Sequence, residues 1–268
     1  MTASSDPADF DFSSRLAGKT VLVVGGTGGL GSAASLLLAR DGARVVAGFR
    51  SDSEAAKAFR DAAQARWGAE IILVEGDISD AQVRQRYLEA AEAGGGKLYG
   101  LVCFSGDPAR VKFDAAGPND LIHSLENNYV YPLLLARDAR EAMKRSGEEG
   151  SIVLISSMQA VSAFDSSVNY AGAKAALHHV CRILAKQWGG PGGVRVNVVA
   201  PGVNRAGMAL QSIASGKYDF FVEEKIIARF GRPEDVARVV RLLLEPDAYI
   251  TGQIVTVDGG LTLRRARP

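Results

Sequence analysis

The sequence predicts an α/β fold with one doubly wound parallel sheet of about seven strands and helices on both faces. Three features predict it: short runs rich in valine and isoleucine, helix-period segments between those runs, and a glycine-rich turn after the first run. Short continuous apolar runs are typical of strands that are buried on both faces. Their alternation with helices indicates parallel strands joined by right-handed crossovers.

The predicted strands and helices alternate along the chain. Short apolar runs place the strands at Thr20–Val24, Arg44–Phe49, Ile71–Glu75, Leu98–Phe104, Ile152–Ser156, Arg195–Val199 and Gln253–Val257. Apolar residues at three- and four-residue spacing place the helices at Gly29–Arg40, Ser53–Trp67, Asp80–Ala93, Pro118–Arg145, Ser167–Trp188 and Pro233–Leu244. Neither a repeat nor a Pro/Ser linker interrupts this order, so residues 15–268 are expected to form one domain. Residues 1–14 are expected to be a flexible tail.

The bulk composition argues against several classes of protein. The formal net charge of +1 gives no global field for nucleic acid or an anionic membrane. No apolar run approaches the ~20 residues of a membrane span, and residues 1–14 lack the apolar core of a secretory signal. Two cysteines do not suggest a disulfide framework, and the three histidines have no metal-ligand spacing. We therefore expect a cytoplasmic protein without a nucleic-acid, membrane or metal partner.

A glycine-rich turn joins the first strand to the first helix. The residues expected at a bound pyrophosphate are Gly25, Thr27, Gly28, Gly29, Leu30 and Gly31. Glycines at such a turn let the backbone approach phosphate closely, and the helix N-terminus offers free N–H groups with partial positive charge. This strand–turn–helix context predicts a Rossmann-type dinucleotide site.

The ends of the second and third strands bear on the choice of dinucleotide. An acid at the second strand end would bind a ribose 2′-hydroxyl, whereas an arginine accommodates a 2′-phosphate. Here Phe49 is followed by Arg50 and Ser51, which favours NADP(H) over NAD(H). A solvated surface charge is the alternative interpretation of Arg50. Asp77, with Ile78 beside it, either faces the adenine or caps the next helix.

A serine, a tyrosine and a lysine form the candidate catalytic group. Ser157 ends the fifth strand, where ligands of open α/β sheets bind. Tyr170 and Lys174 lie four residues apart and share one face of a helix. A nearby ammonium or a cationic nicotinamide favours the phenolate of a tyrosine, which could then exchange a proton with a carbonyl or alcohol oxygen. Because Tyr–Lys pairs at this spacing are common on helix surfaces, the pair alone predicts little.

Taken together, these motifs resemble those of the short-chain dehydrogenases/reductases over nearly the whole chain. Gly25, Gly29 and Gly31 match the family's T-G-x-x-x-G-x-G, while Ser157, Tyr170 and Lys174 match its serine and Y-x-x-x-K. The C-terminal segments 232–235, 249–253 and 257–260 resemble the family's closing signature. The resemblance implies the predicted fold and a nicotinamide-dependent oxidoreductase.

Two further sites are implied by the resemblance alone. Asn128 falls where the family keeps an asparagine that supports the lysine through water; Asn127 is the alternative, but Asn128 aligns Pro132 and the leucines that follow. The segment 197–202 resembles the family's N-x-x-x-P-G beside the nicotinamide. The residues implied there are Pro201, Gly202 and Val203.

The chain departs from the family pattern at three places. Val24 replaces the threonine that opens the glycine motif, and residues 103–106 read Cys-Phe-Ser-Gly where the family has N-N-A-G. Both partners of one structural contact have changed, so we expect the changes to be linked. Of the second motif only Gly106 remains to contact the cofactor. Ala206 replaces a threonine that in the family helps to hold the nicotinamide carboxamide. We therefore expect backbone groups of Val203 to make more of the contacts with the carboxamide. Asn204 and Arg205 either add contacts there or are surface residues.

The resemblance implies NADPH-dependent reduction of a ketone to a secondary alcohol, or the reverse, similar to 3-oxoacyl reductases. Two alternatives remain open: an NAD(H)-dependent alcohol or sugar dehydrogenase, and a non-catalytic dinucleotide-binding protein on the same fold. The expected partner is a small carbonyl or alcohol substrate under a loop at about 203–232, shaped by Met158, Gln159, Phe164 and residues 218–221.

A homo-oligomer, tetramer or dimer, is also implied. Helices Pro118–Arg145 and Ser167–Trp188 would form its interface. Packing on the sheet is the alternative for the apolar faces of these helices.

Overall fold

The computed structural model describes residues 15–165 and 167–263 of the chain. The tail expected at residues 1–14 lies outside the described residues. Seven strands form one parallel sheet in the order β3-β2-β1-β4-β5-β6-β7. They are β1 (Thr20–Val24), β2 (Arg44–Phe49), β3 (Ile71–Glu75), β4 (Leu98–Cys103), β5 (Gly150–Ile155), β6 (Val194–Pro201) and β7 (Ile254–Val257). The doubly wound parallel sheet predicted from the sequence is confirmed.

Helices cover both faces of this sheet. Those of eight residues or more are α1 (Gly29–Arg40), α2 (Ser53–Trp67), α3 (Ala81–Glu92), α4 (Pro118–Leu125), α5 (Tyr131–Ser146), α6 (Val168–Trp188) and α9 (Pro233–Leu244). Two short helices, α7 (Leu210–Ala214) and α8 (Phe220–Glu223), lie in the loop expected to cover the substrate. Strand and helix ends agree with the predictions to within two residues, except at one helix.

The helix predicted at Pro118–Arg145 is not one regular α-helix. A π-turn at Glu126–Val130 separates α4 from α5, and Tyr131 N–H donates to the Glu126 carbonyl five residues earlier. Pro132 follows directly and has no N–H for the carbonyl of Asn128 four residues before it. A wider turn here is a typical adjustment at functional sites. Apolar periodicity did not reveal it, because residues on both sides keep the same buried face.

Side chains of the first residues fix where two helices begin. Asp52 caps α2 by accepting a hydrogen bond from Ala55 N–H at 2.9 Å, and Asp80 caps α3 by accepting from Gln82 N–H at 2.8 Å. The interpretation of Asp77 as the cap of α3 is therefore wrong. Asp77 instead accepts from Ser79 N–H at 2.9 Å within the turn before that helix.

The core consists of two apolar layers on opposite faces of the sheet. Alternate residues of each strand enter alternate layers: Leu22 packs with α3, α5 and α6, whereas Val21 and Val23 pack with α1 and α9. Since every strand runs in the same direction, all carboxyl ends meet at one edge. The predicted site residues after β1, β2, β3, β4, β5 and β6 therefore share that edge.

Val24 and Cys103, both departures from the family pattern, are neighbours in the sheet. They are register partners at the carboxyl ends of β1 and β4, and both are buried in the same apolar layer. Phe104 N–H donates to the Val24 carbonyl at 3.0 Å, so the backbone pairing survives both changes. An apolar pair has thus replaced the polar pair implied by the family.

This replacement predicts an energetic coupling between the two positions. Cys103→Asn alone places an unpaired amide in the apolar layer and should lower the free energy of unfolding by about 2 kcal/mol. Adding Val24→Thr supplies a partner and should recover about 1 kcal/mol. Urea unfolding of the wild type, both single variants and the double variant measures this; strictly additive losses would contradict the coupling.

Candidate active site

The glycine turn leaves the N-terminus of α1 open. Gly25 and Gly29 have φ angles of 72° and 53°, and a side chain at Gly31 would clash with the Gly25 carbonyl oxygen. The N-cap residue Gly28 has open space around it, no side chain caps the helix, and its first turn holds no acid. The first N–H groups of a helix have no intrahelical partner. The turn, with Thr27 and Leu30 beside these glycines, therefore fits an anionic pyrophosphate.

Arg50 lies at the carboxyl end of β2, beside the glycine turn. Gly26 N–H donates to the Gly48 carbonyl at 3.0 Å, which holds the turn against β2. The Arg50 side chain is 76% exposed, and its guanidinium lies 3.8 Å from the Asp77 carboxylate. Ser51 beside it is exposed, whereas Ile78 is buried in the core. Arg50 is thus an accessible cation at this edge, partly balanced by Asp77.

Asn128 is fully buried and is hydrogen-bonded to the loop after β4. Its Oδ1 accepts from Asp107 N–H at 3.1 Å, and its Nδ2 donates to the Asp107 carbonyl at 2.9 Å and to the Ser124 carbonyl at 3.0 Å. A Cβ on Gly106 would lie 2.8 Å from Asn128 Oδ1 and 3.2 Å from Lys174 Nζ. A side chain at residue 106 would therefore displace the Asn128 amide and crowd the Lys174 ammonium. Asn127 instead bonds to His123 on the helix surface, so the preference for Asn128 agrees with the geometry.

Lys174 carries a buried ammonium. Only 3% of the residue is exposed, and its Nζ donates to the Ile155 carbonyl at 2.9 Å. Burial lowers the pKa of Lys174 to about 8, and the nearby Cys103 sulfur opposes this. Its Nζ also lies 5.9 Å from the centre of the Tyr170 ring. The helix α6 thus presents its lysine to the end of β5 and to the tyrosine one turn earlier.

Tyr170 and Ser157 meet at the mouth of this site. Ser157 Oγ accepts from Gln159 N–H at 3.2 Å, which orients the hydroxyl after β5. Burial raises the pKa of Tyr170 to about 12; a hydrogen bond with Ser157 lowers it, and the charge of Asp107 raises it. The expectation that a neighbouring ammonium makes this phenol unusually acidic is wrong for the protein by itself. Desolvation is the largest effect on this phenol, and it exceeds the opposing effect of the Ser157 hydrogen bond.

The segment after β6 closes the opposite side of the site. Gly202 N–H donates to the Val257 carbonyl at 2.9 Å, and a side chain there would meet Asp258. Val203 is buried, and its carbonyl accepts from Gly231 N–H at 2.9 Å. Asn204 is also buried and donates to the Gly202 carbonyl at 2.8 Å. The interpretation of Asn204 as a surface residue is therefore wrong, because its amide braces the turn that Pro201 begins.

The predicted substrate loop is more ordered than its sequence indicates. It contains α7 and α8, and Phe221 is only 9% exposed. An apolar cluster, here called the loop core, joins it to the end of β5: Met158, Val203, Phe221, Ile227, Phe230 and Leu261. Phe164 and Tyr218 pack against the loop core. Part of the aromatic cluster therefore builds the loop itself.

Asp107 is the site residue that the sequence analysis missed. It follows Gly106 directly, and its charge acts on the Tyr170 phenol. No motif marks it; its place three residues beyond the predicted end of the fourth strand was the available signal.

Within residues 15–165 and 167–263, no helix combines the length and the apolarity needed to cross a membrane. The same part of the chain holds no cluster of His, Cys, Asp and Glu side chains suited to a metal ion.

Comparisons with known proteins agree with this geometry. A family model described as enoyl-(acyl carrier protein) reductase matches residues 25–262, which span the glycine turn, Ser157, Tyr170 and Lys174. A solved short-chain type dehydrogenase/reductase from Mycobacterium ulcerans superposes with a TM-score of 0.83 at 26% identity, covering 94% of this chain and 92% of that one. The chain belongs to the short-chain dehydrogenase/reductase family.

Two curated relatives show the range of activities among proteins similar to this dehydrogenase/reductase. Carbonyl reductase family member 4 of Danio rerio is 35% identical, over 93% of this chain and 99% of the relative. The L-rhamnose 1-dehydrogenase (NAD(P)(+)) of a Sphingomonas species is 31% identical, over 92% of this chain and 97% of the relative. The family member described here is thus an oxidoreductase expected to use a nicotinamide dinucleotide.

The buried ammonium of this family member predicts an unusual pH dependence of stability. The pKa of Lys174 is about 8 in the fold against 10.5 for an unperturbed lysine, so the unfolded chain binds more protons between these values. The contribution of Lys174 to wild-type stability should therefore rise with pH across this window, by on the order of 3 kcal/mol. Lys174→Met lacks this titration, so its melting temperature relative to wild type should be highest near pH 7 and fall towards pH 10.

Thermal unfolding between pH 6 and pH 10 measures the effect. Lys186→Met, on an exposed position of the same helix, is the control and should track the wild type. Parallel curves for wild type and Lys174→Met would contradict a buried, destabilising charge.

Proposed function

We propose that this chain is an NADPH-dependent carbonyl reductase that converts a ketone to a secondary alcohol, or the reverse. The observation that carries the proposal is the meeting of Ser157, Tyr170 and Lys174 beside an uncapped glycine turn. A nicotinamide dinucleotide, when bound, supplies or accepts the hydride at the reacting carbon. The residues implied to hold it are those of the glycine turn, with Arg50, Ser51, Asp77, Ile78, Gly106, Pro201, Gly202 and Val203.

Tyr170 is the proposed proton donor. In reduction, its hydroxyl gives a proton to the carbonyl oxygen as hydride reaches the carbon, so ketone, hydride and proton together form the alcohol. A pKa raised to about 12 keeps the phenol protonated and ready at neutral pH. Ser157 positions the same oxygen through its hydroxyl. In oxidation, the cationic nicotinamide ring would favour the phenolate that must accept the proton.

Lys174 and Asn128 are proposed to support this proton transfer. The Lys174 ammonium, with a pKa of about 8, can give up or regain a proton near neutral pH. Asn128 lies against the same glycine as Lys174 and fixes the loop beside it. Lys174 would therefore resupply the proton that Tyr170 loses and regain one from solvent, while Asn128 holds the adjacent loop in place.

The preference for NADP(H) rests on Arg50, an exposed cation where a 2′-phosphate is expected. Asp77, 3.8 Å away, offsets part of that charge and favours a second candidate, an NAD(H)-dependent alcohol or sugar dehydrogenase. The name of the Sphingomonas relative gives both cofactors.

The chain is further proposed to act in the cytoplasm as a homo-oligomer, a tetramer or a dimer. Exposed apolar residues on α4, the π-turn and α6 support an interface there: Ile122, Leu125, Val130, Val168 and Ile183. Cys103 and Cys181 are both buried free thiols, as is common in a reducing compartment.

Replacing the proposed proton donor should separate turnover from binding. Tyr170→Phe should lower kcat for ketone reduction by about a hundredfold or more, because the acid is lost while the ring remains. Binding of NADPH, followed by its fluorescence, should persist. Turnover by Tyr170→Phe equal to that of an active wild type would refute the assigned acid. A wild type that reduces no ketone would instead favour the non-catalytic interpretation.

Replacing the proposed phosphate partner should change the choice of cofactor. Arg50→Ala removes a charge-assisted contact and should raise the Kd for NADPH by about tenfold or more, with little change for NADH. Arg66→Ala, at the far end of α2, is the matched control. Fluorescence titration with both cofactors measures this; equal losses for NADPH and NADH would favour the second candidate.

A further inference from the structure

The loop after β4, residues 104–112, is fixed across the front of the Tyr170 helix. At its start, Phe104 N–H donates to the Val24 carbonyl at 3.0 Å. Towards its end, the Val111 carbonyl accepts from Asn169 Nδ2 at 3.3 Å, and Asn169 immediately precedes Tyr170. The stretch between these two anchors therefore passes the phenol.

Asp107 is the most firmly held residue of this loop. The fully buried Asn128 side chain accepts a hydrogen bond from the N–H of Asp107 and donates one to its carbonyl. The Asp107 carboxylate accepts through Oδ1 from Ala109 N–H at 2.7 Å, and Ala109 has a φ of 45°, in the left-handed region. A non-glycine residue adopts that conformation only where its surroundings impose it. These hydrogen bonds fix both the backbone and the carboxylate of Asp107.

The Asp107 carboxylate has a vacant oxygen and no ion pair. Among the described residues, no hydrogen bond reaches its Oδ2 and no cation lies within ion-pair distance. Two cations of the site are engaged elsewhere: Lys174 Nζ on the Ile155 carbonyl, and Arg110 on Gln211 Oε1 at 2.8 Å. Asp107 is only partly buried, and its Oδ2 can therefore accept a hydrogen bond from a donor that enters the site.

The other wall of the site is apolar. Met158 follows Ser157 directly, and it packs with Val203 and Phe221 in the loop core. A molecule held above Tyr170 would therefore meet hydrocarbon on this wall and a hydrogen-bond acceptor at Asp107. An anionic group near the reacting carbon would be repelled by the same carboxylate.

We propose that Asp107 is a specificity-determining residue that accepts a hydrogen bond from a hydroxyl next to the reacting carbon. The substrate class is then the hydroxyketones, and the vicinal diols in the reverse direction, with an apolar remainder. This inference rests on the proposed reductase function. A site built to bind a hydroxyl discriminates strongly against the analogue that lacks it, because the acceptor is then buried without a partner.

The test compares two ketones of nearly the same shape. Acetoin carries a hydroxyl on the carbon beside its carbonyl, and methyl isopropyl ketone carries a methyl group in that place. Reduction of each is followed by loss of reduced-nicotinamide absorbance, for the wild type, Asp107→Asn and Asp107→Ala. Asp114→Asn, which neutralises an exposed acid just beyond the same loop, is the matched control. NADPH binding by each variant shows whether its fold is retained.

The wild type should prefer acetoin in kcat/KM by about tenfold or more, since the hydrogen bond is to a charged acceptor. Asp107→Ala should remove most of that preference, Asp107→Asn should leave an intermediate preference because it keeps one acceptor oxygen, and Asp114→Asn should match the wild type.

Three results would overturn the inference while the reductase function stands: a wild type without the preference, an unchanged ratio in Asp107→Ala, or an equal loss for both ketones. The last would mean that Asp107 acts on the phenol alone. Failure of the wild type to reduce either ketone with NADPH or NADH would instead count against the proposed function, and the inference would fall with it.

Discussion

The buried ammonium of Lys174 is the constraint on which the site depends. Its hydrogen bond to the Ile155 carbonyl ties helix α6 to the end of β5, the point from which Ser157 extends. The same ammonium lies beside Gly106, in the loop after β4 that Asn128 holds through Asp107. This ammonium, which has no carboxylate partner within residues 15–165 and 167–263, therefore lies where three segments that are far apart in the sequence meet.

The burial of Lys174 and Tyr170 sets their protonation states in a way that suits reduction. Burial lowers the pKa of Lys174 to about 8 and raises that of Tyr170 to about 12, so desolvation acts on both groups but in opposite directions. The phenol stays protonated, and the lysine titrates closer to neutrality. Burying a charge lowers stability, and strained or costly groups of this kind are common at functional sites.

Where the chain departs from the family pattern, neighbouring residues replace the contacts that the family pattern implies. Val24 and Cys103 pack together where a polar pair is implied, and the backbone bond between their strands is kept. On the far side, Ala206 provides no hydroxyl, while buried Asn204 braces the Gly202 carbonyl. Because each change lies beside its compensation, the sheet edge retains its shape.

The sequence by itself determined the fold and indicated the candidate catalytic group. Apolar periodicity placed the seven strands and most helices, because burial of strands and of helix faces is a local pattern. The glycine turn, Ser157 and the Tyr170–Lys174 spacing indicated the site, since each lies within a single turn or helix. Tertiary structure decided what depends on contacts between distant segments. The π-turn before Pro132, the burial of Asn204, the raised pKa of Tyr170 and the clamped carboxylate of Asp107 all arise where separate segments meet and exclude water, which no local pattern records.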